Sequence, residues 1–330
     1  MVLMINLKHL TICTTNECNF NCSYCFKKDV NKDTKPAKFT DWNNLLAFLA
    51  WSPNLNPIAH LNVMFTGGEP FLYPDNLVIG AKALKRYAHI KKCDIKIGCS
   101  TNLVDPEALT DLLYDGLMDI EGVSISWDGI NEDNSENLET YFDLVNDFER
   151  DGIWDNVLIK IALTKKSVKT LSDSIRFLWD IGAKNVELYY VNGTDDYDDP
   201  ERFGNILINQ LTSLRSIELR MLRNYLYANS LGQYRFPYCT KMKELLYVDT
   251  YGNLFPCAFY SDETDVQGEF TDKYLLGNIR DRNIDENILN SVECNRSILS
   301  EDHFCHACTK ECADKIKIIK KKEFGTLMYL

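Results

Sequence analysis

The sequence predicts an α/β protein built on parallel strands, and three observations carry that prediction. Six short runs combine β-branched or aromatic residues with turn-forming residues at their ends. Longer runs with apolar residues at helical spacing follow most of them. The chain has 330 residues, 45% hydrophobic and 25% charged, enough for one large α/β domain with a smaller appendage or for two modest domains.

The strand candidates are His9–Thr14, Leu61–Thr66, Asp94–Ser100, Gly122–Trp127, Val157–Leu163 and Asn185–Val191. The helix candidates are Asp41–Ala50, Asp75–Ile90, Pro106–Gly116, Ser135–Asp151, Thr170–Ile181 and Phe203–Asn229. Pro106 suits a first helical turn, and Gly182 suits the stop after the fifth helix. Repeated strand-then-helix units imply parallel strands with right-handed crossovers. A doubly wound sheet and a partly closed barrel both satisfy the alternation. Either one places functional groups on loops at the carboxyl ends of the strands.

Beyond Tyr238 the character changes to short strands, turns and cysteines. Glu244–Asp249 and Asn253–Tyr260 flank Tyr251-Gly252 as a hairpin. The acidic stretch Asp195–Glu201 reads as a solvated loop, and the long helix at 203–229 as the connection out of the first domain. The expected domains are therefore 1–234 and 235–330.

The net charge of −12, from 48 acidic and 36 basic residues, argues against nucleic-acid binding, which needs a basic footprint. The basic run Lys315–Lys322 reads as a solvated face. Apolar runs such as Leu45–Trp51 fall far short of the roughly 20 residues that span a bilayer, so no membrane partner is expected. Met1–Leu10 carries no secretion signal, which points to the cytoplasm. Only 17 residues precede Cys18, so no N-terminal domain for binding a leader peptide is expected.

Twelve cysteines are many for a compartment that disfavours disulfides, and their grouping points to metal or redox chemistry. Residues 17–26 read ECNFNCSYCF, placing Cys18, Cys22 and Cys25 at Cys-x3-Cys-x2-Cys spacing just after the first strand. Three thiolates so spaced can bind three corners of a cubane cluster and leave its fourth iron open for chemistry. A zinc loop or three unrelated buried thiols are the alternatives, but structural zinc sites close all four positions. The second strand is followed by Gly67-Gly68-Glu69-Pro70. Paired glycines let backbone approach a ligand, and Glu69 offers an acceptor for an ammonium group.

This constellation resembles the radical S-adenosylmethionine (radical SAM) superfamily over roughly residues 8–191. The resemblance implies a partial (β/α)6 TIM-like barrel in which Cys18, Cys22 and Cys25 hold a [4Fe-4S] cluster. S-adenosylmethionine (AdoMet) would chelate the open iron, with Gly67–Glu69 holding its amine. Tyr24 matches the aromatic residue that commonly precedes the third cysteine. Ser126 and Asp128, in the run SISWDG, would sit near the ribose or carboxylate, and Thr101-Asn102 matches a common turn of the family. The implied chemistry is one-electron cleavage of AdoMet to a 5′-deoxyadenosyl radical that removes a hydrogen atom from substrate. An electron donor of flavodoxin or ferredoxin type is implied with it.

The later cysteines read Cys239-x12-Gly252-x4-Cys257, then Cys294, then Cys305-x2-Cys308-x3-Cys312. Taken alone, this pattern would also suit a zinc ribbon. It resembles the small cysteine-rich SPASM and twitch domains of radical enzymes. Full SPASM domains carry about seven cysteines for two clusters. The six here imply one auxiliary [4Fe-4S] cluster on Cys239, Cys257, Cys305 and Cys308. Cys312 is a substitute for one of the last two, and Cys294 a spare or a ligand of a second, incomplete cluster. Such a cluster would take up or relay electrons, or serve structure alone. His303 and His306 flank Cys305 and read as surface residues.

Cys13, Cys93 and Cys99 lie in or beside strands and read as small buried hydrophobes. Cys99 has a second reading, because its strand ends at the active face: a thiol there could return a hydrogen atom to a substrate radical. The leading functional expectation is an oxidoreductase of the peptide-maturase class. It would crosslink, epimerise or oxidise a ribosomally made peptide. The alternative is a small-molecule substrate: a twitch-type dehydrogenase or epimerase of a small alcohol, sugar or aminocyclitol. The non-enzyme alternative is a zinc- or cluster-binding interaction protein.

Overall fold

The computed structural model describes residues 4–25, 38–130, 135–146, 157–191, 198–222, 244–256, 274–285 and 287–288. These group into two compact units. One lies within Met1–Val123 and Pro237–Ser297, the other within Ser124–Phe236.

The first unit is built on β1 (His9–Thr15), β2 (His60–Gly67) and β3 (Asp94–Thr101), all parallel. β1 has partners on both sides. Leu10 and Ile12 are fully buried, as expected for a parallel strand covered on both faces. On its other side it pairs in parallel with β7 (Leu245–Val248), from His9↔Leu245 to Ile12↔Val248. β7 turns back through Gly252 into β8 (Asn253–Phe255), and β8 pairs with β9 (Gly277–Asn278), both antiparallel. The strand order is β3-β2-β1-β7-β8-β9. The expected hairpin is thus present, and its first strand extends the sheet that carries β1.

Helices α1 (Trp42–Trp51) and α2 (Pro74–Lys91) follow β1 and β2. They meet closely: a Cβ on Gly80 would lie 2.4 Å from the Trp42 ring. Trp42 Nε1 donates to Asn76 Oδ1 at 3.1 Å, so the buried indole is satisfied. Helix α3 (Pro106–Tyr114) starts where Asp105 accepts from the Ala108 N–H at 2.9 Å and Pro106 fills its first turn.

The second unit repeats the pattern with β4 (Val123–Ser126), β5 (Leu158–Leu163) and β6 (Asn185–Tyr190), parallel in that order, and with helices α4 (Ser135–Asn146) and α5 (Leu171–Asp180). Ile159 and Ile161 on β5 and Val186 and Leu188 on β6 supply its apolar face, and Leu171, Ile175 and Leu178 are the buried stripe of α5. The single helix expected over 203–229 is instead α6 (Pro200–Thr212), followed by the short α7 (Ser216–Leu219). At the break Thr212 and Ser213 turn their hydroxyls back onto the carbonyls of Ile208 and Gln210, satisfying groups of the last turn. Among the described residues no helix is long and apolar enough to cross a membrane.

Candidate active site

Parallel pairing sets the carboxyl ends of β1, β2 and β3 side by side, and the sequence-predicted residues of the first unit leave from those ends. Thr15 is in register with Gly67. After β1 the chain carries Cys18 and Cys22, both half-buried, the half-buried Tyr24, and the exposed Cys25. The Cys25 N–H donates to the Cys22 carbonyl at 3.1 Å, and the Phe20 N–H donates to Cys18 Sγ at 3.4 Å. Among the described residues no three His, Cys, Asp or Glu side chains surround a single metal-ion position.

The Gly67-Gly68-Glu69 turn is fastened to this loop by backbone. Gly68 N–H donates to the Thr15 carbonyl at 2.8 Å, and Glu69 N–H to the Glu17 carbonyl at 2.7 Å. The approach is too close for any side chain. A Cβ would fall 2.2 Å from the Thr15 oxygen at Gly67, whose φ is +154°, and 2.0 Å from the Glu17 oxygen at Gly68. The two glycines therefore let the turn press against the residues leading into Cys18. Pro70 then opens a 3-10 turn, Pro70–Leu72.

Glu69 is 1% exposed. Its Oε1 accepts from the Phe71 N–H at 2.9 Å and from Thr101 Oγ1 at 2.7 Å, and its Oε2 accepts from the Asn102 N–H at 2.6 Å. Burial pushes this carboxyl above its ordinary pKa, against the pull of those three donors. A carboxylate has about four acceptor positions, and three of these serve protein, so the Glu69 side chain ties the β2 turn to the end of β3. The Asn102 side chain completes the tie: Nδ2 donates to Asn19 Oδ1 at 2.8 Å and to Cys18 Sγ at 3.8 Å. On the outer side, Tyr73 Oη donates to Glu17 Oε2.

In the second unit, Ser126 and Asp128 flank the buried Trp127 and are both half-buried. Trp127 fixes their turn. Its N–H donates to the Lys160 carbonyl at 2.9 Å, its indole donates to Ser135 Oγ at 3.2 Å, and its ring stacks on Phe177 at 5.4 Å.

Cys99 stands opposite Phe65, which packs on Trp42 of α1, and its thiol is fully buried. Burial, with the nearby Glu69, raises the pKa of that thiol. Cys13 is buried against Tyr247 and Phe255, while Cys93 is half-buried with its thiol pKa raised by burial. Cys239, Cys257, Cys294, Cys305, Cys308 and Cys312, with His303, His306 and Lys315–Lys322, lie outside the described residues.

A loop bearing three soft donors, pressed by backbone against a glycine turn, fits a thiolate-bound cluster with an adjoining ligand. The radical SAM superfamily profile matches residues 12–178, about half of the chain and all of the elements just described from β1 to α5. The chain belongs to the radical SAM superfamily. A second profile, an iron–sulfur cluster-binding domain of SPASM type, matches residues 239–313 and spans the six later cysteines. This radical SAM protein is therefore an enzyme whose cofactors are [4Fe-4S] clusters and AdoMet.

An uncharacterised protein of Methanocaldococcus jannaschii is 24% identical to it over 293 residues, 84% of this chain and 90% of that protein. GTP 3′,8-cyclase of Chlorobaculum tepidum is 28% identical over 127 residues, 38% of this chain and 34% of that enzyme. Among solved structures, native anSMEcpe with bound AdoMet superposes with a TM-score of 0.65 at 17% identity, covering 97% of this chain and 98% of that one. SuiB of Streptococcus suis, bound to its precursor peptide SuiA, gives 0.53 at 12% identity, covering 88% and 68%. These likenesses establish a shared mixed α/β fold.

Sequence reading passed over Asn19, Tyr73 and the Asn102 side chain. Their only sequence signal was position: a polar residue within a few places of a strand's carboxyl end.

Proposed function

We propose that this radical SAM enzyme acts on a ribosomally made peptide, forming a crosslink, an epimerised residue or an oxidised side chain. The observation that carries the reading is the fold shared over almost the whole chain with anSMEcpe, which has been solved with AdoMet and a bound peptide. SuiB with its precursor peptide adds support. In this reading Cys18, Cys22 and Cys25 bind the cluster, and the backbone of Gly67–Glu69, steered by Pro70, meets the AdoMet amine. Tyr24 flanks the cluster, and Ser126 and Asp128 meet the ribose or carboxylate. The bound cofactors supply a 5′-deoxyadenosyl radical for hydrogen abstraction. The protein's part is to hold the reacting carbon in place and exclude water.

The domain at 235–330 holds one auxiliary cluster on Cys239, Cys257, Cys305 and Cys308, with Cys312 as a substitute ligand. A cytoplasmic flavodoxin or ferredoxin delivers electrons. The six-cysteine count also favours a second reading, a dehydrogenase or epimerase of a small alcohol, sugar or aminocyclitol.

The test is mass spectrometry of short peptides encoded beside the gene, each co-expressed anaerobically with the enzyme. A mass change that disappears in Cys22→Ala supports the peptide reading. Unchanged masses, together with 5′-deoxyadenosine formation stimulated by a sugar or aminocyclitol, would replace it with the second.

A further inference from the structure

We propose that Asn102 is a positioning residue that tunes the cluster on Cys18, Cys22 and Cys25: its amide donates to the Cys18 sulfur and makes the cluster easier to reduce. The inference rests on the cluster assignment above and is independent of the substrate. Asn102 reaches Cys18 across 84 positions of sequence, with Nδ2 at 3.8 Å from Sγ and 2.8 Å from Asn19 Oδ1. The Phe20 N–H adds a second donor to the same sulfur at 3.4 Å. Two N–H donors thus face the Cys18 sulfur, which also lies 4.0 Å from the Asn19 Oδ1 acceptor. Hydrogen bonds to cluster sulfurs are among the factors that set a cluster's potential. The reduced cluster carries one more negative charge than the oxidised one, so an N–H aimed at its thiolate stabilises the reduced form more.

The side chain is held in place by its backbone. Asn102 N–H donates to Glu69 Oε2 at 2.6 Å, and Leu103 N–H to Thr101 Oγ1 at 2.8 Å. Leu103 itself is fully buried with φ of +64°. A leucine in the left-handed region is strained by about 1–2 kcal/mol, and such strain gathers at functional sites. Because the tie to Glu69 runs through the main chain, changing the Asn102 side chain leaves that tie in place. A tuning role and a merely bracing role therefore separate experimentally.

The experiment is a redox titration of the anaerobically reconstituted full-length enzyme. It follows the electron paramagnetic resonance signal that changes when AdoMet is added, since only a cluster with an open iron responds. In Asn102→Ala the reduced-to-oxidised ratio at a fixed potential should fall about tenfold, which for a one-electron couple is about 59 mV. Asn102→Asp, nearly isosteric but an acceptor, should fall at least as far. Ser167→Ala removes a buried hydroxyl that bonds the Thr164 N–H and the Ala162 carbonyl and should leave the potential unchanged. An unshifted potential in Asn102→Ala at wild-type iron content overturns the proposal. If that variant binds no iron, Asn102→Asp decides in the same way, and loss of iron in both assigns Asn102 to assembly alone and likewise overturns tuning. A wild-type protein with no AdoMet-responsive signal would instead fail the cluster assignment itself.

Discussion

Polar side chains at the strand ends are used differently in the two compact units. In the first unit they bond outward, from one loop to the next: Thr101 and the Asn102 N–H to Glu69, and the Asn102 amide to Asn19 and Cys18. In the second unit the tightest such contact is local, although Lys165 also reaches Asp198 and Ser174 accepts from the Ile130 N–H. Ser167 Oγ accepts from the Thr164 N–H at 2.9 Å and donates to the Ala162 carbonyl, closing the turn after β5 on itself. Two buried carboxylates show the same contrast. Glu69 is satisfied by neutral donors, Phe71 in its own turn and Thr101 and Asn102 at the end of β3, whereas Glu218 takes the N–H and guanidinium of Arg215, three residues away. The loops after β1, β2 and β3 are thus fastened to one another, while the turn after β5 is closed by its own serine.

The largest break in this pattern should come from Gly68→Ala. Its methyl would meet the Glu17 oxygen at 2.0 Å, strain worth at least about 1–3 kcal/mol. We expect loss of the first cluster, read as halved iron content and absent 5′-deoxyadenosine. Glu69→Ala should come next, since it strands three buried donors. Their unmet bonds should cost about 3 kcal/mol of apo-protein stability, measured by urea unfolding. Ser167→Ala should cost about 1–2 kcal/mol in the same assay, while AdoMet cleavage without substrate stays at the wild-type rate.

Glu218→Gln should have the smallest effect, about 1 kcal/mol, because Arg215 is two-thirds exposed and its charge is screened. The sign of its pH dependence is the sharper test. Burial alone would raise the Glu218 pKa, but the Arg215 N–H, side chain and charge bring it below the ordinary value. Its stabilisation is therefore present above the carboxylate range and lost as pH falls through the folded value. Glu69 runs the other way. With its pKa raised, its contribution is greatest below the ordinary value of about 4.3 and is lost as pH rises through the folded one. Comparing apo wild type with Glu69→Gln and Glu218→Gln across that range should give difference curves of opposite slope. Parallel curves would erase the contrast between the two regions.

Local pattern made much of this legible in the sequence. The six strands β1 to β6 fall within about two residues of where periodicity and turn residues placed them, and so do the Pro106 helix start and the Tyr251-Gly252 turn. What was not legible depends on partners far along the chain. Glu69 could be seen as an acceptor, but two of its three donors, Thr101 and the Asn102 N–H, lie more than thirty residues on. Which face of β3 carries Cys99 depends on Phe65 and Trp42. That β7 would pair with β1 is a contact over more than 230 residues, which no local period encodes.

The central claim is that Cys18, Cys22 and Cys25 hold the cluster that cleaves AdoMet. Its most direct test is anaerobic reconstitution of the full-length protein, addition of AdoMet and dithionite, and chromatography for 5′-deoxyadenosine. Wild type should produce it, and Cys18→Ala, Cys22→Ala and Cys25→Ala should each abolish it while retaining the iron of the auxiliary site. Undiminished 5′-deoxyadenosine in any one of the three variants, or a wild-type protein that takes up zinc and cleaves nothing, would contradict the account.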